Sequence, residues 1–155
     1  MPGRQGSIVI SDTSCLIGLA NIGRLDVLKQ LYGEVIVTPE IAGEYALALP
    51  EWITTRKVKD KNTIIALNAF IDLGESSAIA LAAELEDVLL IVDDRRARKV
   101  AIDLGLAITG TLGILIRAYE QGVIDDINSA IADLRRVHFR IPDNAESLVK
   151  NLLKK

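Results

Sequence analysis

Cysteine, histidine, tryptophan and methionine each occur once in these 155 residues, and aromatic residues make up only 4% of the chain. A lone Cys15 cannot form an internal disulfide, which fits a reducing cytoplasm. Its apolar surroundings make it a core residue. A lone His138 without a visible partner excludes a paired-histidine mechanism. Cys/His zinc spacing, a Gly-rich phosphate loop and a nucleophile elbow are all missing. No apolar run reaches the ~18–20 residues that a membrane helix needs. Residues 1–6 are short and polar, so they are expected to be disordered or tag-like, with no signal peptide. The net charge of −3 argues against a broad electropositive nucleic-acid surface. It leaves room for a chain whose acids hold a divalent metal that handles phosphates.

Half of the residues are hydrophobic and a quarter are charged, which is the balance of a globular chain. The length predicts one domain over residues 1–155. Apolar β-branched runs at Ile8–Ile10, Glu34–Val37, Val88–Val92 and Leu106–Thr109 read as strands. Trp52–Val58 reads as an edge strand and Val137–Ile141 as a last short one. Helical spacing separates these runs. Thr38-Pro39 caps a helix expected to run to about Pro50. Thr63–Leu73 is helical in composition, Gly74 breaks the pattern, and Glu75 opens a strong helix. Asp125 is the expected cap of a later helix, and Asp143 with Glu146 makes a capping box before the last one. Strands that alternate with helices predict an α/β fold with a mostly parallel sheet.

The stretch Ser7–Leu16, SIVISDTSCL, organises the chain. Asp12 stands where an apolar strand meets a helix, at the mouth of the ligand crevice of an open parallel sheet. Asp93 and Asp94 end a later strand in the same way. Glu44 lies three residues from both Ile41 and Leu47, and Glu75 lies four before Ile79, so both lean toward buried helix faces. Singly, each acid has a structural explanation. Asp12 and Asp94 suit N-caps, Glu75 suits a first helical turn, and Glu44 suits a solvated helix face. Crowded together, the acids would repel and raise one another's pKa, and hard oxygens in that number suit Mg²⁺ or Mn²⁺. Gly110-Thr111 brings a further hydroxyl toward the acids or simply caps a helix.

In order, the chain shows strand-DTS, TPEIAGEY, LGESSAIALAAE, LLIVDDRRAR and GLAITGTLGIL. This series resembles a PIN domain of the compact prokaryotic subgroup related to VapC-like toxins, from roughly Ile8 to Ile141. The resemblance implies a three-layer α/β/α fold whose mostly parallel sheet has five strands, with the acids at one end. It implies Mg²⁺- or Mn²⁺-dependent cleavage of single-stranded RNA by metal-activated water. Asp12, Glu44, Glu75 and Asp94 match the catalytic acids. Asp12, Glu75 and Asp94 or its neighbour Asp93 match the metal ligands, and Thr13 or Ser14 the hydroxyl that supports the first acid. The third acid is Glu where Asp is commoner, and the double aspartate leaves the fourth ligand open. The resemblance also implies a homodimer and a small antitoxin protein whose tail fills the acidic groove.

Arg95 is the basic residue placed to meet substrate, ahead of Arg96, Arg98 and Lys99. Arg135, Arg136 and Arg140 form a second basic cluster that suits RNA contact. The helices between Leu25 and Leu49 carry apolar surface that suits a dimer or a partner helix. Two other classes of function compete with the nuclease. One is a PIN-fold dimer that binds or regulates without useful catalysis. The other, a phospho-acceptor receiver, wants its acid pair after the first strand rather than a late one.

Overall fold

The computed structural model describes residues 7–154; the expectation for residues 1–6 lies outside them. Strand β1 (Ile8–Ser11) leads into α1 (Thr13–Asn21) and α2 (Asp26–Tyr32). Then come β2 (Val35–Val37), α3 (Pro39–Tyr45), β3 (Ile53–Thr55), α4 (Lys61–Asn68) and α5 (Leu73–Glu84). The second half runs through β4 (Val88–Ile91), α6 (Arg95–Asp103), β5 (Ala107–Thr109), α7 (Thr111–Glu120), α8 (Ile127–Arg136) and α9 (Ala145–Leu153).

The five strands pair in the order β3-β2-β1-β4-β5, and every pair is parallel. Helices cover the sheet on both faces, giving the three-layer α/β/α arrangement. That is the expected place for strands that are apolar along their whole length. Val35, Ile36 and Val37 are all buried, as are Leu89, Leu90 and Ile91. Ile10, Leu16, Leu28, Ile41, Ile79 and Leu115 fill the spaces between the layers, and Cys15 packs among them with a fully buried thiol. Among the described residues no helix is long and apolar enough to cross a membrane.

The strand order carries the functional consequence. From β1 the chain winds outward through β2 to β3, then returns to β1's other edge with β4 and β5. The winding direction reverses between β1 and β4. A crevice opens at such a reversal, outside the carboxyl ends of the two strands, because the flanking connections leave in opposite directions. Asp12 follows β1 there, and Asp93 and Asp94 follow β4.

Several local expectations are corrected. Residues 137–141 form no strand, because their amides close α8 instead. The His138 N–H donates to the Arg135 carbonyl (3.0 Å), the Phe139 N–H donates to the Leu134 carbonyl (2.9 Å), and His138 takes φ 63°. Helix α3 stops at Tyr45, with Ala46 left-handed at φ 61°, rather than near Pro50. The helical stretch after Thr63 breaks at Ala69–Asp72, so Gly74 sits inside the first turn of α5. Asp126, one residue beyond the expected Asp125, caps α8 by accepting the Ser129 N–H at 3.0 Å. Helix α9 follows Asn144, which makes no side-chain cap bond, and Glu146 is drawn to Arg135 instead of closing a capping box. Between Leu25 and Leu49 the exposed large apolar side chain is Leu47, and Leu25, Leu31, Tyr32 and Leu49 are half-buried.

Candidate active site

Asp12 is 1% exposed, and both carboxylate oxygens are engaged. One accepts the Cys15 N–H at 2.9 Å, which caps α1. The other accepts the Asp93 N–H at 2.9 Å, which ties the end of β4 to the end of β1 across the reversal point. Burial pushes the Asp12 carboxyl up to about 8, and the Asp93 charge adds to that shift. The two amides pull the other way without winning, and Glu75 raises it further.

The adjacent aspartates differ. Asp93 is partly buried and faces Thr111, whose N–H (2.8 Å) and hydroxyl (2.6 Å) donate to its two oxygens. Burial raises its pKa against those bonds and against the Arg98 charge. Asp94 is exposed and caps α6 through one oxygen, which accepts the Ala97 N–H at 2.9 Å. Among the described residues no protein group holds its second oxygen. Arg98 is itself tied down, donating to the Val92 carbonyl at 2.9 Å.

Glu44 and Glu75 approach from α3 and α5. Glu75 is half-buried, and its carboxyl is pushed up to about 7 by burial first, then by Asp94, Asp72 and Glu44. Glu44 does not lie on a buried face; it is exposed, and its carboxylate reaches across to α1 and α5. There it accepts the Thr13 hydroxyl at 2.5 Å. It also packs so close to Gly74 that a Cβ at that position would overlap the carboxylate. Thr13 therefore supports Glu44 rather than Asp12, and Ser14 faces solvent.

A buried pair of hydroxyls sets how the two glutamate helices meet. Ser77 donates to the Gly74 carbonyl at 2.7 Å, so Thr38 must donate to Ser77 across their 2.6 Å contact. Thr38 also accepts the Ile41 N–H at 3.1 Å and so caps α3. Both hydroxyl residues are fully buried, which makes this bridge between α3 and α5 costly to break. Ser77 carries no mark in the sequence pattern of a place near the acids. Asp72 is hidden because its segment reads as helix, and in the structure it precedes α5 without making a side-chain cap bond.

The structure thus brings Asp12, Asp93, Glu75, Asp94 and Glu44 to one end of the sheet, with Thr13 and Thr111 among them. Arg95 is exposed beside Asp94, at a cavity that Glu75 also lines. Of the second basic cluster only Arg135 is partly buried, while Arg136 and Arg140 stay exposed. Arg135 bonds to Glu146 and to the Pro142 carbonyl (2.9 Å), and Arg136 pairs with Asp133 (2.9 Å). Among the described residues no three Cys, His, Asp or Glu side chains surround one point closely enough to hold a metal by themselves. Mg²⁺ asks for less, since it keeps several waters and takes one or two protein carboxylates beside a substrate phosphate. The donor set suits it: hard oxygens, with two carboxyls raised toward neutrality by burial and by one another.

No curated protein and no solved structure matches the chain. A family profile described as PIN domain matches residues 8–155. With nearly its whole length matched, and with its acids gathered at the reversal point of a parallel sheet, the chain belongs to the PIN-domain family.

Proposed function

We propose that this protein is a Mg²⁺- or Mn²⁺-dependent ribonuclease that cleaves single-stranded RNA. PIN domains are generally nucleases, and PIN nucleases typically use divalent metals. The observation that carries the reading is the gathering of Asp12, Glu44, Glu75, Asp93 and Asp94 at the β1–β4 reversal, where burial and neighbouring acids raise Asp12 and Glu75. Such perturbation clusters at functional sites.

Asp12, Glu75 and Asp94 would hold the metal, which supplies positive charge at the scissile phosphate and makes water a better nucleophile. Asp94 is the better ligand of the aspartate pair, because it is exposed and lines the same cavity as Glu75, while Asp93 is partly buried against Thr111. Asp93 then acts as a brace that fixes the end of β4 relative to α7. Glu44, steadied by the Thr13 hydroxyl, orients the attacking water. Arg95 meets the substrate backbone beside Asp94. The opposing reading, a PIN-fold dimer that binds without cleaving, draws on the failure of three acids to converge on one point. In the toxin version of the nuclease reading, a small antitoxin's tail covers the acids.

Cleavage of a labelled single-stranded RNA with Mn²⁺, with Mg²⁺ and with EDTA decides between them. Wild type is expected to cleave with either metal and not with EDTA. Asp12→Ala is expected to lose at least about a hundredfold in rate while keeping a native circular dichroism spectrum. A folded wild type that cleaves in no lane and ignores Mn²⁺ in thermal shift would establish the scaffold.

A further inference from the structure

Asp72, Glu75 and Asp94 line a cavity of about 730 Å³ whose other walls are aromatic on one side and cationic on another. One wall is the connection from α4 to α5, where Phe70 stands 66% exposed. Another is the first half of α6, which contributes Arg95, Arg96 and Lys99. Among the described residues neither Arg95 nor Arg96 is held by a hydrogen bond or ion pair. Lys99 pairs only with Asp103 (3.2 Å) on the open helix surface, a contact that water screens heavily.

A phenylalanine this exposed leaves most of its ring in water, in a chain that has only two phenylalanines. Single-stranded nucleic acid is bound by this combination, an aromatic face on which a base stacks and cations that meet the phosphates. A duplex keeps its bases stacked on one another and offers the ring no face. The volume falls within the range of about 300–1,000 Å³ that encloses small ligands, which suits one nucleotide and not a helix.

We propose that Phe70, Arg95, Arg96 and Lys99 form a nucleotide subsite in which one unstacked base lies on Phe70 and its phosphates face α6, presenting a neighbouring phosphodiester to Glu75 and Asp94. This rests on the nuclease reading and supplies, from this chain's own residues, a physical reason for single-strand preference. Phe70 acts as a specificity residue and takes no part in bond breaking.

The test measures binding apart from cleavage, by fluorescence anisotropy of a short labelled RNA in EDTA at low salt. Phe70→Leu keeps apolar bulk and removes the ring. It should weaken single-strand binding roughly tenfold, in line with base–aromatic stacking elsewhere, while Phe70→Trp restores it. Binding of a duplex of the same sequence should not change. Replacing Arg96 and Lys99 with alanine should lower the salt slope by about 0.7 for each phosphate that no longer meets a cation. Equal affinity of wild type and Phe70→Leu, or no binding by wild type, would overturn the subsite. So would a change of oligomeric state in Phe70→Leu, which would assign the ring to contact with a second copy. Cleavage by wild type judges the nuclease reading separately, so either proposal can fail while the other stands.

Discussion

Asp12 and Glu84 each accept two backbone N–H groups at nearly the same distances, 2.9 Å twice for Asp12 and 2.9 and 2.8 Å for Glu84. Their acidities nevertheless move in opposite directions. Glu84, on the open side of α5, is lowered by its bonds to Asp60 and Lys59. Asp12, sealed at the end of β1, is raised to about 8 because burial and the Asp93 charge outweigh the Cys15 and Asp93 amides. Glu146 resembles Glu84, lowered by Arg135 at the surface. Hydrogen-bond count therefore does not decide how easily a carboxylate carries its charge. Water and the sign of the neighbours do. The protein satisfies its acids at the C-terminal end of α5 and at α8 and α9, and leaves them in mutual conflict at the β1–β4 end, where a cation would relieve them.

The largest expected effect follows from that contrast. In EDTA the Asp12 proton is held far more tightly in the folded chain than in the unfolded one. Its stabilising contribution is complete below about pH 4 and is lost as pH rises toward about 8, a change on the order of a few kcal/mol. Glu84 works in the opposite sense: its contribution is present above its ordinary value of 4.5 and fades as pH falls below it. Urea midpoints across pH should therefore decline between about pH 4 and 8. Asp12→Asn should make that decline shallower and leave the part that Glu75 and Asp93 contribute, and Glu84→Gln should not reduce it. The slope is the readout, since asparagine offers one acceptor where Asp12 offers two. A flat wild-type profile would break the comparison.

Next in size is relief by a divalent ion. Saturating Mn²⁺ at about a hundred times Kd should add about 2.7 kcal/mol, or roughly 5–10 °C in Tm for a chain of this size. The shift should be larger at pH 8.5 than at pH 6, where protons compete for Asp12 and Glu75. It should survive Glu146→Gln and vanish in Glu75→Gln; an equal shift in both variants would place the ion elsewhere.

A smaller change probes the contact between Glu44 and Gly74. Gly74→Ala lies in a helix, where alanine ordinarily stabilises by roughly 0.5–1 kcal/mol. Here the new methyl displaces the Glu44 carboxylate, which can swing into solvent. Stability should hold or rise slightly while cleavage falls about tenfold or more, because a small misplacement of a positioning group is expensive. Unchanged cleavage would remove Glu44 from the mechanism. The smallest effect belongs to the satisfied acids. Asp126→Ala should cost about 1 kcal/mol as a lost N-cap and leave cleavage untouched.

Much of this is legible in one dimension. The apolar β-branched runs around Ile10, Ile36 and Leu90 declare buried parallel strands, and the acids after them gather at one end of the sheet. Asp12 and Asp94 are indeed N-caps, so the structural explanation for each is correct and does not compete with a role in the site. The errors have a common physical source. Val137–Ile141 has strand-like residues, but its first three amides are used up in closing α8. Glu44 sits at helical spacing beside Ile41, yet spacing reports which side of a helix a residue occupies and not where its long side chain ends. Thr13 follows Asp12 in sequence and supports Glu44, because the first residue of α1 faces α3. Arg135 has the charge to meet RNA, and only the return of α9 supplies Glu146 to hold it.

By itself the sequence determined the α/β class, the parallel sheet, most element positions and the set of acids, since period and capping chemistry are local properties. Tertiary structure alone decided the electrostatics. The reversal between β1 and β4 brings Asp93 to Asp12, separates a doubly held Asp93 from an open Asp94, and sets Phe70 beside the cations of α6. Burial and charge neighbours belong to pairs of residues as far apart in sequence as Asp12 and Asp93, and no local pattern encodes their distance.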